Sequence, residues 1–349
     1  MPSSSILQAA CFAVGALVGG GVVTAIENRR RVVPPPPPPT TAVTPARVSG
    51  PPIVEVRPTG ATHITTANAL VAVDSPVLKH GNPGPISDML VRKAYVAAYD
   101  RRLRHPTWTA EHLTLASLGK SKVEQNASDE AGDRSKSAFI EDEDIPPQFR
   151  ARLSDYLRSG YDRGHMVPAA DAKSSQAAMN ETFLLTNIAP QVGAGFNRHY
   201  WAYLEDWCRR LTGSFSDVYV FTVPLYLPKL DNDGKWRVHY EVIGSPPNTS
   251  VPTHFAKVVL TARPSSPSTP HIPEISTGAF VLPNAEIPDQ APLENFVMPV
   301  EAVERAAGLT FFSDEVKKGS KHICKTTKCE VIIRRFDDAQ KRKPISGPK

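Results

Sequence analysis

Residues 196–211 read FNRHYWAYLEDWCRRL, and the spacing of their large apolar side chains decides how the surrounding chain is organised. Phe196, Tyr200, Leu204, Trp207 and Leu211 recur every three or four positions, the repeat that places side chains along one stripe of an α-helix. The pattern predicts a helix over 196–211 with that stripe in a core. At 3.6 residues per turn, Glu205 lies about 80° round the axis from Asn197, and Arg209 about 40° further, so all three fall away from the stripe.

The runs after this helix, DVYVFTV (217–223), WRVHYEVI (236–243) and HFAKVVLTA (254–262), are rich in β-branched and aromatic residues and bounded by Pro, Gly and Asn. They predict strands. Before it, SDMLVRKAYVAAYDRRLRHPTW (87–108) reads as a short helix followed by a strand with alternating apolar residues. The polar interval from Glu124 to Glu143 reads as a surface loop within the domain. Together these segments predict an α+β domain, a mostly antiparallel central sheet flanked by helices, over 86–338.

The remainder of the 349 residues is of a different kind. Ile6 to Ile26, ILQAACFAVGALVGGGVVTAI, carries no charge and is about long enough to cross a bilayer as a helix. With Arg29, Arg30 and Arg31 behind it and no Lys or Arg ahead of it, residues 1–31 read as a mitochondrial targeting or membrane-anchor segment rather than a secretory signal. The chain's 34 prolines concentrate after it, beginning with the run Pro34–Pro39, and residues 32–85 read as a flexible tether. Residues 339–349 form a basic tail. The formal net charge of +5 suits a polyanionic partner without selecting one. Of the four cysteines only Cys324 and Cys329, in CKTTKC, are close together, and no second Cys/His pair accompanies them to complete a zinc site. They read as unliganded thiols, with one disulfide or a redox role as the alternative.

Three clusters with chemical potential fall within fifty residues: Tyr161-Asp162-Arg163-Gly164-His165, then Asn187-Ile188-Ala189-Pro190-Gln191, then Phe196-Asn197 with Glu205 and Arg209. Phosphodiester hydrolysis needs a base for water, an electrophile to neutralise the phosphate, and stabilisation of the leaving 3′ oxygen. His165 can be the base near neutral pH. Magnesium prefers oxygen ligands and keeps several waters, so one amide oxygen, from Asn197, suffices alongside substrate oxygens. Glu205 can hold metal-bound water, Arg209 and Arg163 can face phosphate, and Asp162 with Arg163 can position the strand end and grip substrate.

These motifs resemble the DNA/RNA non-specific endonuclease family, in particular its mitochondrial endonuclease G branch as found in fungi. DRGH (162–165) is the signature, and the likeness continues through IPPQFRARLSDYLRSGYDRGH, TFLLTNIAPQ, FNRHYWAYLEDWCRRL, PLYLPK and VPTHFAKVV, covering about Tyr95 to Phe336. The resemblance implies a ββα-metal (His-Me finger) core and cleavage of both DNA and RNA. It implies His165 as proton acceptor and Asn197 as ligand to Mg2+, for which Mn2+ can substitute. It also implies Glu205 and Asn187 supporting the metal waters and the histidine, with Arg163 and Arg209 near substrate phosphate. Finally it implies a homodimer in the mitochondrial intermembrane space or on the inner membrane, held there by the N-terminal segment.

Three positions depart from the family pattern. Met166 and Val167 follow the histidine where polar or small residues are common, and Val223 replaces a glycine often found before the P-L-Y segment. The basic stretch Lys317 to Arg335 is a solvated face or an auxiliary contact to a nucleic-acid backbone. Two other functions stay open: a catalytically weak relative that only binds nucleic acid, and a secreted scavenging nuclease with glycosylation sequons at Asn126, Asn180 and Asn248.

Overall fold

Strand β7 (His254–Pro264) shows why the sheet is central: Phe255 and Val259 point to one side, Ala256 and Val258 to the other, and all four are fully buried. Both faces are covered, which is why HFAKVVLTA reads as a nearly continuous apolar run. In the computed structural model, which describes residues 83–120 and 131–333, β7 belongs to an eight-stranded sheet. The other members are β1 (Ser87–Val91), β2 (Tyr95–Asp100), β3 (His105–Leu113), β6 (Asp217–Leu225), β8 (Pro273–Pro283), β9 (Val297–Met298) and β10 (Lys321–His322). The order is β1-β2-β3-β6-β7-β8-β9 with antiparallel neighbours, and β10 lies parallel beside β8. Helix α1 (Gln176–Glu181) is short, α2 (Trp201–Leu211) covers one face and α3 (Val300–Ala307) the other, so the domain is α+β as expected.

Beneath α2, the side chains of Trp201, Leu204, Trp207 and Leu211 join Val218, Val220, Phe255, Val259 and Phe280 in the largest core cluster. Each such side chain stabilises the fold by about 1.5–3 kcal/mol when withdrawn from water. All five residues of the sequence stripe are buried, none more than 4% exposed. Under α3, Val300 and Val303 meet Val223, Leu225, Ala256 and Val258. Val223 therefore sits opposite Ala256 on the face away from α2, where it fills core.

The remaining pair, β4 (Tyr161–His165) and β5 (Ile188–Val192), is antiparallel, with Arg163 opposite Pro190 and His165 opposite Ile188. Helical structure follows β5 at once, giving a strand-strand-helix unit that holds His165 on its first strand and Asn197 at the start of its helix.

Three expectations are corrected. SDMLVRK does not begin with a helix: β1 pairs with β2, because Asp88 reaches across to Arg101 (2.6 Å) and Leu90 alternates into a cluster with Tyr95, Ala97 and Tyr99. Short apolar runs such as MLV fit either period, and the cross-strand ion pair settles it. WRVHYEVI is not one strand; only Trp236–Arg237 and Val242–Ile243 pair, with the two-residue segments Lys229–Leu230 and Thr249–Ser250. Its alternating residues Trp236, Val238, Tyr240 and Val242 remain exposed because no sheet edge receives them. Cys324 and Cys329 are not free thiols but a disulfide, their Cα atoms 5.2 Å apart. The short helix α5 (Ile323–Thr326; α4 is Asp314–Gly319) turns the chain back on itself, and Trp207 Nε1 donates to Lys328 O (3.0 Å), docking the closed loop on α2.

The segment Ile6–Ile26, the tether up to residue 82 and the tail 339–349 lie outside the described residues, as does part of the 124–143 interval. No helix among the described residues is long and apolar enough to cross a membrane.

Candidate active site

Alternation along β4 puts Tyr161, Arg163 and His165 on one side of the strand and Asp162 and Gly164 on the other. Gly164 has no room for a side chain, since a Cβ there would lie 2.2 Å from Gln191. The glycine of the YDRGH motif thus lets β5 close against β4.

The His165 ring is 8% exposed and held between Phe139 (centroids 5.3 Å apart) and Phe183 (4.7 Å, edge-on). Its Nε2 is sealed from solvent and has no hydrogen-bond partner. A protonated ring would therefore bury an unpaired N–H donor. Burial, and then the nearby Arg134 guanidinium, push its pKa down to about 3, so the imidazole is neutral across the physiological range. The chain beyond it is pinned by Asn187, which is fully buried. Its Nδ2 donates to Val167 O and Thr182 O (both 2.9 Å) and its Oδ1 accepts from Val167 N (3.0 Å), while Met166 N donates to Asn187 O (2.9 Å). Asn187 thus reaches the histidine through backbone, and its side chain is spent on backbone partners.

Asn197 stands where the helix begins. Gly195 is left-handed (φ 77°), and a Cβ there would fall 2.3 Å from Glu286, so only glycine fits. The first turn is wide, with Trp201 N donating to Phe196 O five residues back, a π-type turn of the sort often found at functional sites. Asn197 Nδ2 donates to Asp162 Oδ2 (2.9 Å), and Arg198 binds both oxygens of the same carboxylate (2.7 and 2.6 Å). Burial alone would raise the Asp162 pKa, but the bonds from Arg198 and Asn197 outweigh it and hold the carboxyl below its ordinary range. Asp162 accordingly orients Asn197, leaving the amide oxygen Oδ1 as the end that can meet a cation. That donor set suits magnesium. Among the described residues no group of three or more His, Cys, Asp or Glu is placed to cage a metal, whereas a single amide oxygen leaves room for waters and phosphate oxygens.

Glu205 is half-buried, and its pKa is pushed up to about 7 by burial, against the opposing pull of Lys257 and Arg209. Arg209 is 13% exposed and donates to Asp171 Oδ1 (2.8 Å), so it is tied into the protein rather than standing free towards substrate. Burial and the neighbouring Asp171 raise the Glu111 carboxyl well above the carboxylate range. Lys257 is buried, donates to Thr222 Oγ1 (2.8 Å) and lies 5.0 Å from the Trp201 ring.

Reading the sequence does not find Arg134, Phe139, Phe183, Asp171, Glu111 or Lys257. The most consequential is Arg134. It is exposed, lies over the Phe183 ring (5.5 Å), and is close enough to act electrostatically on both His165 and Glu205. Its segment, GDRSKSAF, looks like ordinary surface loop, and the only signal was the arginine itself.

The depressed His165 pKa has a stability consequence. The unfolded chain takes up the proton near pH 6.5 and the folded chain only near pH 3, so the stability linked to neutral His165 is present above 6.5 and is lost as pH falls towards 3. Between pH 7.5 and 5, wild type should lose about 2 kcal/mol more stability than His165→Asn. Urea unfolding of both proteins at the two pH values checks this, and parallel losses would contradict it.

Comparison with known proteins gives a consistent result. The family model described as DNA/RNA non-specific endonuclease matches residues 73–318. The chain is similar to "Nuclease 1, mitochondrial" of Schizosaccharomyces pombe, 49% identical over 265 residues (76% of this chain, 78% of that one). It is also similar to human "Endonuclease G, mitochondrial", 40% identical over 233 residues (67% and 72%). Among solved structures it resembles a chain of the EndoG/EndoGI complex, with TM-score 0.60 and 44% identity, covering 70% of this chain and 94% of that one.

Proposed function

This chain belongs to the DNA/RNA non-specific endonuclease family, a family of metal-dependent enzymes that hydrolyse nucleic acids, and from that premise we propose that His165 is its general base and Asn197 its ligand to Mg2+. The observation that carries the proposal is the pairing on β4 of His165, buried between Phe139 and Phe183, with Asp162 three residues before it, whose carboxylate accepts from Asn197 Nδ2 at the start of the helix.

Nε2 of His165 is sealed, which leaves Nδ1 as the nitrogen able to face an incoming water. That water loses a proton to the ring as its oxygen forms a bond to phosphorus, and the bond from phosphorus to the 3′ oxygen breaks. Magnesium, when bound, supplies positive charge to the phosphate and to the departing oxygen. Arg134 and Arg163 would bind phosphate oxygens on either side of the histidine; each is exposed and rests on an aromatic ring, Phe183 and Phe139 respectively. Phosphate beside Arg134 neutralises the guanidinium that helps to hold the His165 pKa down. Substrate binding therefore raises the proton affinity of the base when it is needed. Glu205 would hold water next to the metal, and Arg209, tied to Asp171, would hold the position of the helix rather than grip substrate.

Purified protein should convert supercoiled plasmid and single-stranded RNA to fragments with Mg2+ or Mn2+, and EDTA should abolish both reactions. Cleavage undiminished by EDTA would remove the metal from the mechanism. The homodimer, and residence in the mitochondrial intermembrane space or on the inner membrane through residues 1–31, are also proposed. Sedimentation of the purified chain and fractionation of mitochondria test them. A secreted role is disfavoured at one sequon: Asn248 Nδ2 donates to Arg150 O and Asp155 Oδ2 (3.0 and 2.7 Å), bonds that a glycan on that nitrogen would disrupt.

A further inference from the structure

Beside Tyr161 and Arg163, at the end of β4 away from His165, is a cavity of about 230 Å³ whose interior has no part in the chemistry proposed above, although Asp162 and Arg163 in its wall do. Its walls are formed by Leu153, Tyr156, Leu157, Arg158, Tyr161, Arg163 and Asp162, the last a carboxylate already bonded to Arg198 and Asn197. About 10–15 Å³ on this measure holds one water, so the space suits a planar heterocycle far better than a trapped solvent molecule.

Four observations say what it takes. Tyr161, Arg163 and His165 lie on one side of β4 at two-residue steps, about 6.6–6.8 Å each. That is of the order of the distance between adjacent phosphates in an extended single strand. A strand lying along β4 with one phosphate at His165 would bring the next to Arg163 and a nucleoside beyond it to the cavity. Second, Leu153, Tyr156, Leu157 and Tyr161 give the cavity an apolar side next to its charged residues, and Leu157 is 73% exposed. Third, Arg158 and Arg163 are both exposed and make no ion pair with a carboxylate among the described residues, so both guanidinium groups are open to phosphate. Fourth, Arg158 is held at φ 57°, a backbone region that side-chain-bearing residues avoid.

We propose that this cavity is a nucleotide subsite of the nuclease, resting on the function proposed above: it receives the base of a nucleotide flanking the cut, with Arg158 and Arg163 on the adjoining phosphates. Contact is by stacking and apolar packing, which every base can make, so the subsite adds affinity without sequence preference. The ligand class is single-stranded or locally unpaired DNA or RNA extending at least one nucleotide beyond the scissile phosphate.

The test compares two substrates, a 12-nucleotide single-stranded DNA that reaches the cavity and bis(p-nitrophenyl) phosphate, which does not. Leu157→Asp replaces an exposed side chain, and Arg158→Gly relaxes the left-handed residue, so both variants should fold. Leu157→Asp is expected to raise KM for the 12-mer about tenfold with kcat held, and to leave cleavage of the small diester at the wild-type rate. For Arg158→Gly, the salt dependence of kcat/KM on the 12-mer is expected to become shallower by about 0.7 in logarithmic slope, the contribution of one phosphate contact on a single strand. Unchanged KM and salt slope on the 12-mer would overturn the subsite, as would equal losses on both substrates, which would mark a structural role. His165→Ala should lose both reactions. A wild-type protein that cuts neither substrate would remove the underlying nuclease function and the subsite with it, an outcome distinct from a selective failure on the 12-mer.

Discussion

His165→Ala is expected to lower turnover on DNA and RNA by about 10²–10⁴-fold while folding, metal binding and nucleic-acid binding persist. The size follows from the position of the ring. No other histidine shares its setting between Phe139 and Phe183, and its neutral form is enforced by burial and by Arg134. Folding should survive because the sealed Nε2 makes no hydrogen bond, so the substitution strands no partner. Asn187 continues to fasten the following backbone, Met166 and Val167, through bonds that do not involve the imidazole. Single-turnover cleavage with circular dichroism on the same preparation measures both halves of the expectation.

Asn197→Ala should act differently. Its amide oxygen is the protein's only proposed direct bond to the ion, so apparent magnesium affinity is expected to fall at least about tenfold, with higher magnesium recovering part of the activity. The start of the helix should hold, because Asp162 retains its two bonds from Arg198 and Gly195 retains its left-handed turn. Titrating activity against magnesium reads this directly, and an active variant with unchanged dependence would move the metal to other ligands.

The helix over 196–211 was legible because one stripe of five large side chains has no other use than a core, and all five are buried. The candidate site was legible in part for a related reason: His165, Asn197 and Glu205 are residue types whose chemistry fits the proposed reaction, on elements that are adjacent in sequence. Partnership was not legible. Helical projection placed Arg209 near substrate and could not reveal Asp171, which holds it, because that contact crosses between separate segments of chain. The same holds for Asp162, whose carboxylate looked suited to substrate but is committed to Asn197 and Arg198. Arg134 was hidden by local composition, since an arginine among serines and charged residues carries no periodic signal. The disulfide stood only as the alternative reading because spacing alone does not say whether two thiols five residues apart are turned towards each other, and here a short helix turns them. WRVHYEVI shows the converse error: a good strand pattern forms little sheet when no neighbouring strand is free to pair with it.

Magnesium titration of plasmid cleavage by wild type, His165→Ala and Asn197→Ala, run side by side, tests the central assignment of base and metal ligand most directly. The expected result is a wild-type curve abolished by EDTA, an Asn197→Ala curve displaced to higher magnesium, and a His165→Ala curve that remains low at every magnesium concentration. Near-wild-type cleavage by His165→Ala, or recovery of its activity by magnesium alone, would contradict the assignment.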